Sequence, residues 1–239
     1  MDFVEGEVIY INKPLGWTSF DLVGKIRSQI CRSLHIKKLK VGHAGTLDPL
    51  ADGVMIVCTG KKTKLIDTFQ YLTKEYVATL QLGATTPSFD LEKPIDQTYP
   101  TEHITQQLVE QVIPTFKGEI WQIPPTFSAI KVNGKRAYEY ARQGQEIEIK
   151  PKQLVIDEIE ILDFNPDKMT LQIRVVCSKG TYIRALARDI GVALRSGAHL
   201  VQLRRTRIGD VTYQDCTDID SLTQIINQIN QTQYETQPI

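Results

Sequence analysis

A chain of 239 residues with 41% hydrophobic and 23% charged side chains can build one large core or two small ones and has an ordinary globular composition. Lys+Arg and Asp+Glu both number 28, so net charge points to no polyanionic partner. The longest purely apolar runs, about five residues, fall far short of the roughly 20 that a membrane-spanning helix needs. The acidic start, Met1 to Glu7, lacks the basic-then-apolar order of a signal peptide, which predicts a soluble, cytoplasmic protein. Cys31, Cys58, Cys177 and Cys216 form no CxxC pair and fit a reducing compartment. His35, His43, His103 and His199 show no ligand spacing, so no metal is expected.

In chain order, Val8 to Ile11 reads as a short strand ending in the turn-rich Asn12-Lys13-Pro14-Leu15-Gly16-Trp17. Thr18 followed by Asp21 fits a capping box, and Val23, Ile26, Ile30 and Leu34 recur beyond it at helical spacing. From Lys25 to Lys40 six basic residues occur without an acid. With the distant cluster Arg204-Arg205-Thr206-Arg207 they predict a local nucleic-acid footprint in a neutral chain. Next comes the small, turn-rich stretch Gly42 to Gly53, which carries His43, Asp48 and Asp52. Asp-Pro starts turns and Asp-Gly closes them, so composition alone reads both acids as turn chemistry. A loop clamped between a helix and a strand is also where functional residues are carried. The apolar run Val54 to Cys58 is that strand. Six residues separate Gly53 from Gly60-Lys61, and Lys62 follows. A phosphate-binding loop needs four and then Ser or Thr, so a nucleotide triphosphatase is excluded.

Glu75 to Leu82 alternates as a strand with Tyr76, Ala78, Leu80 and Leu82 on one face. A polar loop, Thr85 to Pro100, leads to a helix carrying Ile104, Leu108, Val109, Val112 and Ile113, ended by Pro114. Between Gly118 and Lys150, Pro124-Pro125, Asn133-Gly134 and Gly144 punctuate a segment where Lys131, Lys135, Arg136 and Arg142 mix with Tyr138 and Tyr140. It reads as an inserted, partly mobile arm suited to gripping RNA, or equally as a surface hairpin. Gln153 to Leu162 and Met169 to Cys177 are a strand pair. A Gly-containing turn then opens a helix striped by Ile183, Leu186, Ile190 and Leu194, a geometry that suits an anion. Arg184, in its first turn, opposes the helix dipole and so calls for a partner carboxylate or phosphate. His199 to Ile208 is a further strand, and a final helix carries Leu222, Ile225, Ile226 and Ile229 before a Gln- and Asn-rich end expected to fray.

The blocks NKPLGWTS (Asn12 to Ser19), GHAGTLDPLADGV (Gly42 to Val54), KEYVATLQLG (Lys74 to Gly83), PPTFSAIKVNGKRAYEYAR (Pro124 to Arg142), CSKGTYIRALARDIG (Cys177 to Gly191) and GAHLVQLRRTRIG (Gly197 to Gly209) closely resemble the tRNA pseudouridine synthase B family and occur in its order. The resemblance implies an α/β protein of the α+β type: the pseudouridine synthase fold, a mixed and mostly antiparallel sheet flanked by helices, with an RNA-gripping insertion. It implies a catalytic domain over residues 1–209, with the insertion at about 118–150. Residues 210–239 are then a short tail, too short for the separate C-terminal RNA-binding domain usual in the family. The implied activity is isomerisation of uridine to pseudouridine at position 55, in the TΨC loop of tRNA. By motif matching Asp48 is the nucleophile, paired with Arg184, and Tyr76 stacks on the target base. His43, Tyr182 and Leu203 line the RNA pocket, with Lys13 and Pro14 supporting the site.

That chemistry suits the residue types. Moving uracil from an N1 to a C5 link needs no redox change, and no cofactor is expected; it needs a carboxylate that bonds covalently to either the uracil ring or the sugar. An arginine within about 4–6 Å keeps such an Asp ionised. The expected partner is the tRNA T-arm, met by a monomer without a membrane or an obligate protein partner. Two other readings share the basic and aromatic residues: a non-catalytic tRNA-binding or folding chaperone, and a related synthase acting on another RNA.

Overall fold

The computed structural model describes residues 1–235, and the side chains of residues 1–228. Its elements are β1 (Val8–Lys13), α1 (Ser19–Ser33), β2 (Val41–His43), β3 (Ala51–Thr59), α2 (Ile66–Tyr71), β4 (Lys74–Leu82), β5 (Ala84–Thr85), β6 (Gln97–Thr98), α3 (Gln106–Val112) and β7 (Gly118–Gln122). There follow β8 (Lys131–Val132), β9 (Lys135–Arg136), α4 (Ala137–Arg142), β10 (Lys152–Asn165), β11 (Thr170–Cys177), α5 (Ile183–Ala193), β12 (Ala198–Ile208), β13 (Val211–Thr212) and α6 (Ile219–Glu235). They form two compact units: Met1–Lys74 together with the chain from Arg204 onward, and Glu75–Leu203.

In the first unit the strand order is β1-β3-β12, with β2 paired to β3 and β13 to β12. The run Val54 to Cys58 is buried throughout, which is why it reads as an unbroken apolar stretch rather than an alternation. It pairs antiparallel with β1, Ile11 opposite Met55 and Lys13 opposite Gly53. Helix α1 starts at the expected capping box: Asp21 N–H donates to Thr18 Oγ1 at 3.0 Å, and Thr18 N–H to Asp21 Oδ2 at 2.9 Å. Its buried stripe is Leu22, Val23, Ile26 and Ile30. Lys25, Arg32, Lys37, Lys38 and Lys40 face solvent. Helix α6 lies against α1, where Ser33 donates to the Ile226 carbonyl at 3.1 Å and Leu222 and Ile226 are buried. The stretch expected to fray stays helical to Glu235; the residues after it lie outside those described.

One expectation is corrected here. Asp52 is not a turn residue but lies in β3, where its carboxylate receives both Nε and Nη2 of Arg204 at 2.9 and 2.7 Å. The Asp-Gly signal misleads because Gly53 is in the strand for a different reason. Its φ is +109°, and a Cβ there would lie 2.2 Å from the backbone oxygen of Arg205.

In the second unit the order is β12-β4-β11-β10-β7. β4 alternates as its sequence predicts, with Tyr76, Ala78, Leu80 and Leu82 inward. Its outer face joins a polar row: Gln172 donates to Thr79, and Thr79 to Gln202, each at 3.3 Å. Nearby Arg174 is ringed by Glu75, Glu158 and Glu160. The segment expected as an arm begins as sheet, since Gly118–Gln122 pairs antiparallel with β10. Beyond it, β8 and β9 form a hairpin closed by Asn133 (φ +50°) and Gly134 (φ +83°), the conformation an Asn-Gly turn favours. Its basic residues sit over its own aromatics: Lys135 is 5.9 Å from the Tyr140 ring centre and Arg142 5.2 Å from that of Tyr138. Among the described residues no helix is long and apolar enough to cross a membrane, and no His, Cys, Asp and Glu cluster could hold a metal.

Candidate active site

The loop carrying Asp48 spans Ala44 to Leu50, between β2 and β3 of the first unit. Leu47 points inward and is buried, leaving Asp48 half-exposed beside it. Five consecutive carbonyls are taken by protein donors. Arg205 Nη2 donates to Gly45 at 3.2 Å and Nη1 to Thr46 at 3.5 Å; the Ser19 hydroxyl donates to Leu47 at 2.9 Å. Ala51 N–H donates to Asp48 at 3.1 Å and Gly16 N–H to Pro49 at 2.8 Å. Leu47 N–H returns a bond to Ser19 Oγ at 2.8 Å. The nucleophile expected from the sequence thus stands on a backbone fixed from three directions.

Lys13 and Pro14 support that frame. Lys13 is 1% exposed, and its ammonium donates to the carbonyls of Pro14 at 2.8 Å and Trp17 at 2.6 Å. Burial lowers its pKa to about 8, against the attraction of Asp52 and Asp48. His43, half-buried at the end of β2, is also held below its ordinary value, by burial first and then by Arg205, which favours a neutral imidazole. The Lys13 shift has a measurable sign. Between about pH 8 and 10.5 the unfolded chain binds this proton more readily than the folded one, so folding gains stability as pH rises through that window. Urea unfolding of wild type and Lys13→Met, compared across that range, will show wild type gaining on the variant; a gap moving the other way contradicts the assignment.

The second unit holds the other residues. Arg184 is 5% exposed; its Nη1 donates to the Ser88 carbonyl at 3.2 Å and its Nη2 to that of Phe127 at 3.0 Å. Its Nε lies 3.6 Å from Asp90 Oδ2, so a carboxylate does stand near this misplaced cation. Tyr182 caps the same helix, and its N–H and carbonyl are both held by Gln122, at 2.9 and 3.2 Å. That amide is therefore engaged by protein, where the sequence reading left it for an anion. Arg188 Nη2 donates to the Ile123 carbonyl at 3.1 Å. Tyr76 on β4 and Leu203 on β12 are buried on neighbouring strands. The first unit thus gathers Lys13, Pro14, His43 and Asp48, and the second carries Tyr76, Tyr182, Arg184 and Leu203.

Four residues escaped sequence reasoning: Ser19, Asp90, Gln122 and Arg205. Arg205 left a signal, because it shares the parity of Leu203 in an alternating strand and so must point inward. Within the second basic cluster, therefore, Arg205 faces the protein interior rather than an RNA. Arg205 is buried, Arg204 is paired with Asp52 and lies 4.9 Å from the Tyr213 ring centre, and Arg207 donates to the Gly209 carbonyl.

Solved structures define the class. A chain of a Cbf5-Nop10-Gar1 complex matches with TM-score 0.67 and 29% identity, over 93% of this chain and 54% of that one. An archaeal box H/ACA Nop10-Cbf5 complex matches with TM-score 0.67 and 26% identity, over 97% and 57%. This chain spans little more than half of those chains and shares the pseudouridine synthase fold. Residues 32–183 match the family model described as the TruB family pseudouridylate synthase N-terminal domain. Residues 184–237 match that of the tRNA pseudouridylate synthase B C-terminal domain; from α5 onward they lie within the two units described. The chain belongs to the TruB family of pseudouridylate synthases. It is 68% identical to a Bacteroides fragilis protein named tRNA pseudouridine synthase B, over 95% of this chain and 97% of that protein. Proteins of the same name from Flavobacterium johnsoniae and a Mycobacterium strain are 51% and 42% identical, with 95% and 72% of their lengths covered.

Proposed function

We propose that this chain isomerises uridine to pseudouridine at position 55, in the TΨC loop of tRNA, with Asp48 as the nucleophile. The observation that carries the reading is the Asp48 loop, whose five carbonyls from Gly45 to Pro49 are all engaged while the carboxylate stays half-exposed. A turn aspartate needs no such frame; a nucleophile that must meet one carbon of a flipped nucleotide does.

In this mechanism the target uridine leaves the stacked loop at a cost of a few kcal/mol. Tyr76 stacks on the uracil, a contact of about 1–3 kcal/mol. Asp48 bonds to the uracil ring or to the sugar carbon, and the N1 glycosidic bond breaks. The base turns, its C5 bonds to the sugar carbon, and Asp48 is released. The proton on C5 leaves and N1 gains one, so the product is an isomer of the substrate and no redox partner enters. Tyr76 is the candidate base for that proton. Arg184, assigned to the reaction by its motif, stands beside Asp90 at 3.6 Å. His43, neutral, fills space vacated by flipped nucleotides. Tyr182 and Leu203 line the pocket, with Lys13 and Pro14 beneath. The protein acts as a cytoplasmic monomer on the T-arm.

Chemical mapping of pseudouridine in unmodified tRNA incubated with the protein tests the reading. Modification confined to position 55 supports it. Binding without modification supports a chaperone instead, and modification elsewhere supports another RNA target.

A further inference from the structure

We propose that Ser19 and Arg205 are positioning residues that set the Asp48 loop in its reactive geometry before RNA arrives. The inference rests on Asp48 being the nucleophile. Ser19 is the first residue of α1, and Arg205 lies on β12. Both are buried, at 3% and 1% exposure, so water does not compete for their bonds. Ser19 holds the residue before Asp48 by both backbone groups, donating to the Leu47 carbonyl and accepting from its N–H. Those two groups belong to the peptide planes on either side of Leu47, so the pair restrains both, which a single bond does not.

Arg205 works across the loop. Besides Gly45 and Thr46 on the incoming limb, its Nε donates to the Val54 carbonyl on the outgoing strand at 2.7 Å. One planar guanidinium with five donors ties both limbs together, a span that an ammonium does not reproduce. Gly53 leaves room for the approach, since a Cβ there would lie 2.2 Å from the Arg205 backbone oxygen. The two side chains come from positions 28 and 158 residues away from Leu47, and they add to the hold that the Ala51 and Gly16 amides have on Asp48 and Pro49. A misplacement of about 1 Å costs on the order of 100-fold in rate.

The test measures single-turnover pseudouridine formation with protein in saturating excess over unmodified tRNA, where the rate constant does not depend on the folded fraction. Ser19→Ala is expected to slow the step about 10- to 100-fold while tRNA affinity stays within about threefold. Ser19→Thr, which keeps the hydroxyl, restores much of the rate. Arg205→Lys, which keeps the charge but not the fork, slows it at least as much as Ser19→Ala and provides the reading should that variant not fold. Lower thermal midpoints with unchanged rate constants would make both residues merely structural and overturn the proposal. So would affinity losses that account for the slower rates. An inactive wild type, or an active Asp48→Asn, sinks the assignment of Asp48 instead, and the two failures are told apart.

Discussion

Asp48→Asn is expected to abolish pseudouridine formation, with the rate falling about 10⁴-fold or more, while tRNA binding changes by no more than a few fold. The amide has the size and shape of the carboxylate but lacks the nucleophilic oxygen that the proposed mechanism requires. The loop keeps its course because it is held through backbone atoms: the Leu47 peptide by Ser19, Pro49 by Gly16, and Gly45 and Thr46 by Arg205. The variant therefore isolates chemistry from folding and from recognition. Mapping of the modified position and filter binding of the same tRNA give the two readouts. Turnover above about a hundredth of wild type would reassign the nucleophile.

Gly53→Ala destabilises the protein by about 3 kcal/mol, combining backbone strain with overpacking. Its φ of +109° is one that residues with a side chain rarely adopt, and a Cβ would meet the Arg205 oxygen at 2.2 Å and its nitrogen at 2.9 Å. Neither contact belongs to a flexible side chain. For a chain of this size the loss corresponds to roughly 6–12 °C in the unfolding midpoint. Gly16→Ala is the control. Gly16 also has a positive φ, +84°, but nothing lies within 4 Å of a Cβ there, so the variant carries only conformational strain of about 1–2 kcal/mol. Equal losses at the two positions would show that contact with β12 plays no part.

What the sequence makes legible follows the range of the interaction. The capping box at Thr18 and Asp21, the alternation of β4 and the Asn-Gly hairpin involve residues within a few positions of one another, and each is observed. The family blocks add residue types in order and so point to eight expected site residues without their geometry. The frame around Asp48 is different, because Ser19 is 28 residues from Leu47 and Arg205 is 160 from Gly45. No local pattern encodes such pairs. Asp52 misleads for a related reason: an Asp-Gly pair reads as a turn, whereas Arg204 gives it a partner from another element. Asp90 does lie in the expected polar loop, but nothing local marks Arg184 as its partner. β7 was hidden because five residues ahead of a proline pair resemble the start of a loop until β10 is laid beside them.

The root of the arm is not a free tether. Gln122 holds Tyr182, the Ile123 carbonyl receives Arg188, and the Phe127 carbonyl receives Arg184. Those contacts fall within six residues of the arm and seven of the helix, so the arm is geared to α5 like a crank to its shaft. Whatever seizes its tip pulls on a carbonyl that Arg184 grips, so the load is shared between α5 and, through β7, the edge of β10.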